Sequence, residues 1–140
     1  MMDWKECEKE FIREVEIDEE RIKSITEKAM QRLELIKGIE ISEKKVSFVI
    51  EGYYEVIKEL LVAYLLKNGW RSKNHQCLIS YFYKQNPDYE FEANLISQMS
   101  FYRNRLCYYG ESVPLSFYDK NKKNILGIIE LLKGVVKKIK

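Results

Sequence analysis

Arg103, Asn104, Arg105, Cys107, Tyr108 and Tyr109 crowd guanidinium, amide, thiol and phenol groups onto about two turns of a predicted helix. Residues four apart share a helix face, so Arg103 falls with Cys107 and Asn104 with Tyr108, while Arg105 projects to another side. Tyr102 and Leu106 lie in the apolar stripe of the same segment, which puts Arg103 at the border of the buried face. A planar fork of donors suits a phosphodiester. It equally suits a glutamate or the terminal carbonyls of a neighbouring helix, and the sequence leaves both open.

Several other chemistries are disfavoured. The chain has one histidine, His75, and no strand–turn–helix elbow frames a serine, which argues against a Ser-His-Asp triad. A Cys/His zinc site needs about four ligands close in space, and three separated cysteines with one histidine supply them poorly. No glycine-rich phosphate loop is present, and the Glu-x-x-His of a di-metal bundle is missing. No metal and no cofactor are therefore expected. Glu51, Glu55 and Glu59 are spaced like acid/base carboxylates, but they fall opposite an apolar stripe and read as a solvated helix face.

The chain has 140 residues, which is the size of one domain, 1–140. Its net charge is only +2, but the charge is unevenly spread. Acids dominate up to Glu20, and lysines at 120, 122, 123, 133, 137, 138 and 140 face Glu130 alone near the other end. Such asymmetry fits either a phosphate-facing end or two solvated faces. Cys7, Cys77 and Cys107 are few, odd in number and far apart, so a reducing interior without disulfides is expected. No signal peptide opens the chain, and the longest apolar run, Leu60 to Leu66, is far short of the roughly 20 residues of a membrane span. The expectation is a cytoplasmic protein with no membrane contact.

Apolar spacing predicts the elements that position these groups. Trp4, Cys7, Phe11 and Val15 mark a short amphipathic helix. Asp18 caps a second helix, with Ile22, Ile25, Ala29, Leu33 and Ile36 inward and Gly38 as its stop. Ser42 caps a third, from about Glu43 to Lys67, whose wide stripe from Val46 to Tyr64 must meet more than one neighbour. A short helix starts at His75 and ends at Asn86-Pro87. The next, capped by Asp88, runs to Tyr109 and buries Phe91, Leu95, Met99 or Gln98, Tyr102 and Leu106. The last runs from Leu115 to about Ile139 on Phe117, Ile125, Ile128, Ile129, Leu132 and Val136. No strand is expected. The fold class is all-α, an antiparallel bundle of five to six helices.

Three stretches resemble the HEPN domain family of small prokaryotic helical bundles. They are Glu51-Gly52-Tyr53-Tyr54-Glu55-Val56-Ile57 running on to Asn68-Gly69, the polar loop into His75 with Leu78-Ile79, and Arg103-Asn104 near the end of the penultimate helix. They span about Lys44 to Gly110. The resemblance implies a HEPN-like homodimer in which two Arg…His motifs meet and cleave RNA without metal, often opposite a small nucleotidyltransferase antitoxin. Carried over, Arg103 and Asn104 match the start of the motif, and its histidine slot falls on Tyr108 or Tyr109. A phenol with a pKa near 10 is a poor base where imidazole, near 6.5, serves in both proton roles. Recruitment of His75 would restore one. The expectation is RNA or nucleotide binding at a cleft of Arg103, Asn104, Tyr108 and Tyr109, with Arg105 and His75 as further ligand contacts and nuclease activity weak or absent. The rivals are a protein-interaction module for a nucleotidyltransferase partner and an active metal-independent ribonuclease.

Overall fold

The computed structural model describes residues 1–137. It is an all-α bundle with one small two-stranded sheet. The long helices are α2 (Glu19–Lys37), α3 (Val46–Lys67), α5 (Glu90–Tyr109) and α6 (Leu115–Lys137). The shorter α4 spans His75–Gln85, and α1 is a single turn at Trp4–Glu6. Lys138 and Ile139, expected at the end of α6, lie outside the described residues.

Helix α3 is the centre, and α2, α4, α5 and α6 all pack on it. The stripe read from sequence is buried except for the half-buried Tyr64, and Tyr54, Ala63, Leu65 and Leu66 are buried as well. Each fully buried aliphatic side chain contributes about 1.5–3 kcal/mol, so α3 dominates the stability of the fold. Helix α2 comes unusually near it at Gly52, where an added Cβ would sit 2.6 Å from Cδ1 of Ile36. Asp18 accepts a hydrogen bond from the Arg21 amide at 3.1 Å and caps α2 as expected. Asn74 accepts from the Gln76 and Cys77 amides and fixes the start of α4 at His75. Gly110, at φ 66°, ends α5 in a conformation that costs other residues strain.

Several expectations are corrected. The first helix does not reach Val15: a π-helical turn, Cys7–Phe11, follows α1 and gives way to strand β1, Ile12–Glu14. The strand pairs antiparallel with β2, Trp70–Ser72, in the register Ile12↔Ser72, Arg13↔Arg71 and Glu14↔Trp70. Gly69, at φ 83°, lets the chain double back here, and its carbonyl accepts the Val15 amide at 2.9 Å. Ser42 bonds the Lys45 amide and caps a turn, while α3 itself starts at Val46. A 3-10 turn, Pro87–Tyr89, precedes α5, so Asp88 is not its cap. Phe91 is exposed and Tyr102 and Leu106 are half-buried, while Ala93 and Ile96 complete the buried stripe of α5 with Leu95 and Met99. Phe117 is only half-buried, while Tyr118 and Asn121 are buried in its helix.

The cysteine expectation is also overturned. Cys7 and Cys77 form a disulfide, with Cα atoms 5.5 Å apart and neither residue exposed. It staples the N-terminal arm to α4 across a sequence separation of 70.

Candidate functional site

The polar groups of α3, the start of α4 and the last turns of α5 meet along one seam of the bundle. Glu55 on α3 sits at its middle. Lys58, one helical turn on, approaches Glu55 at 2.6 Å, and Arg103 of α5 reaches the same carboxylate at 3.5 Å. These side chains are about one-fifth exposed, so water screens them only in part. His75, the first residue of α4, lies within their field. Burial lowers its pKa below the ordinary 6.5, the Lys58 and Arg103 cations lower it further, and Glu55 opposes them. The imidazole is therefore neutral at pH 7.

Arg103 is poorly satisfied for a partly buried guanidinium. Its Nε is buried and has no acceptor among the described residues. Its two terminal nitrogens reach Asn104 Oδ1 at 3.4 Å and Glu55 at 3.5 Å, both long for charge-assisted bonds. Arginine carries five donors, so this one retains capacity for an acceptor with several oxygens. Glu55 does not seal it, because Lys58 holds that carboxylate more closely.

The floor of the seam is a polar network. Gln76 donates to the Ser100 hydroxyl at 3.1 Å, and the buried Tyr54 phenol lies beside Ser100. Burial raises the Tyr54 pKa, while Ser100 and the Arg103 charge pull it back. At the outer end, the Cys107 thiol donates to Glu51 at 3.1 Å, and this bond raises the thiol pKa above its ordinary value. Cys107 is thus the protonated form of a thiol, a poor nucleophile at neutral pH.

His75, Arg103 and Asn104 are the predicted site residues brought to this seam. Arg105 projects elsewhere: Glu111 takes it bidentately, with Nε to Oε2 at 2.8 Å, and its guanidinium lies 4.6 Å from the Tyr109 ring centroid. Tyr108 and Tyr109 are 73% and 69% exposed and stand at the rim. Glu51, Glu55 and Glu59 do not form the freely solvated face expected: Glu51 and Glu55 are partners of α5, and Glu59 pairs with Arg32 of α2. The available signal was the width of the α3 stripe, which leaves so little circumference free that its acids must sit at helix seams. No family model, curated protein or solved structure matches the chain.

Proposed function

We propose that the chain is a HEPN-like bundle that binds the phosphodiester of RNA or a nucleotide at the α3–α4–α5 seam. The observation that carries the reading is Arg103, an under-satisfied guanidinium beside a second cation, Lys58, and a neutral histidine. A phosphate entering there takes donors from Arg103 and Lys58 and displaces Glu55 from the weaker of its two partners. Asn104 orients the guanidinium through its amide oxygen. Tyr108, open to solvent over Asn104, offers a stacking surface to a base.

A second reading, metal-independent ribonuclease, draws on His75. An uncharged imidazole beside two cations is a competent base for a 2′-hydroxyl, a role that the tyrosines in the motif's histidine slot fill poorly. A homodimer fits the exposed aromatic residues Phe101 and Tyr108, which lie two turns apart on one face of α5. A nucleotidyltransferase-type protein is the rival occupant of that face, since aromatic residues favour interface centres.

The test is RNA retention across a salt titration. Arg103→Ala should weaken binding at least tenfold, and Glu55→Gln, which removes the internal competitor, should strengthen it. Equal affinity of wild type and Arg103→Ala rejects the seam as the site. Cleavage that persists in EDTA and is lost in His75→Gln selects the ribonuclease reading over simple binding.

A further inference from the structure

The two-stranded sheet carries an electrostatic conflict. Arg13 and Arg71 are direct partners across the β1–β2 pair. Like charges directly opposite on antiparallel strands are destabilising. Among the described residues neither arginine has an ion-pair partner, and nor do Lys73 and Arg21 close by. Glu14 gives no relief, because it faces Trp70 and strand alternation puts it on the other side of the sheet. Glu10 is the acid among the residues that line the cleft at this edge, and it makes no ion pair with these cations.

The same edge forms a cleft of about 280 Å³ lined by Arg13, Arg71, Lys73 and Phe11. A second recess, of about 160 Å³, continues past Arg71 and Lys73 to Arg21. Phe11 is 37% exposed, so an aromatic face is open among the cations. Cations that follow a backbone, interleaved with an aromatic on which a base can stack, are the elements of a single-strand binding surface. Lys73 is two residues before His75, which puts their Cα atoms within about 7 Å of each other. The cleft wall therefore runs directly into the first residue of α4 along the chain.

We infer that the β1–β2 edge is a second binding surface that holds the phosphate backbone of single-stranded RNA, with Phe11 stacking a base, and leads the strand toward His75 and Arg103. The repulsion between Arg13 and Arg71 is relieved when a phosphate lies between them. The inference takes its ligand from the proposed function of the seam, but it concerns residues outside the seam. Its surface is built by the arm that Cys7–Cys77 staples in place.

The experiment compares wild type, Arg13→Ser/Arg71→Ser/Lys73→Ser and Arg103→Ala. Each is titrated with an oligouridylate of about 16 nucleotides and with a uridine dinucleotide, over a range of salt. The triple variant should bind the long strand at least tenfold more weakly. Its log–log salt slope should be shallower by about 2, the value for three lost phosphate contacts on a single strand. Dinucleotide binding, which reads the seam, should not change. The melting temperature should hold or rise, since a repulsion has been removed. If the triple variant does not fold, Lys73→Glu alone, at an exposed site, should still weaken long-strand binding several-fold. An unchanged salt slope overturns the inference. So does poly-glutamate binding as tight as RNA binding, which assigns the edge to an acidic protein. Long-strand binding that survives Arg103→Ala but fails in the triple variant rejects the seam and keeps the edge.

Discussion

At the scale of single residues, His75 carries the clearest measurable consequence. Its pKa is lowered in the fold, so the unfolded chain binds a proton more readily than the folded one. Stability should therefore rise with pH from the folded-state pKa up to about 6.5 and gain nothing further from this group above that. His75→Gln should flatten that part of the profile, as read by denaturant midpoints at a series of pH values. A profile unchanged by the substitution would mean that neither burial nor the Lys58 and Arg103 cations shift the imidazole. If RNA binds the seam as proposed, its phosphate should screen the two cations and raise the imidazole pKa. Arg103 was legible in sequence as a residue at the border of the core. Its partner was not, because Glu55 lies 48 positions away and no local pattern couples them.

At the scale of elements, the disulfide and the small sheet govern the N-terminal arm. Three-residue strands do not hold a segment by themselves. The arm is fixed by Cys7–Cys77, by the Val15–Gly69 backbone bond and by Trp4 against the Tyr81 ring at 5.7 Å. Closing so long a loop constrains the unfolded chain, and Cys7→Ser should cost about 2–4 kcal/mol, measured by chemical denaturation without reductant. Reductant should lower wild type toward the variant and leave the variant unchanged. If the two proteins unfold at the same denaturant concentration without reductant, the sulfurs are not joined in solution. The expectation of free cysteines came from their number and spacing, and those say nothing about two residues that a chain reversal brings together. The strands were hidden for a similar reason: Ile12–Glu14 continues a helical apolar pattern, and only its pairing with Trp70–Ser72 makes it a strand.

At the scale of the whole molecule, a net charge of +2 hides an uneven surface. Lys73 of the basic sheet edge and His75 of the seam flank the Asn74 cap in the chain, while Phe101 and Tyr108 leave aromatic rings exposed on α5. Of the C-terminal lysines, Lys133 is drawn to Glu130 at 3.4 Å and Lys67 donates to the Val136 carbonyl nearby, so that end is partly self-satisfied. No described helix is long and apolar enough to cross a membrane. If α5 mediates the proposed homodimer, Phe101→Glu/Tyr108→Glu should shift sedimentation from dimer to monomer without loss of helical circular dichroism. Wild type that stays monomeric at all concentrations would exclude that face as a self-interface.

The sequence by itself determined the helices, their order and the dominance of α3. Apolar periodicity and caps such as Asp18 and Gly110 act within a few residues, and burial of so wide a stripe admits little besides a bundle. Only the tertiary structure decided the pairings: Glu55 with Arg103, Cys7 with Cys77, Arg13 opposite Arg71, and His75 beside two cations. Each joins residues distant in the chain, and the energy that brings them together is spent burying the apolar core, which carries no record of the polar groups it sets side by side.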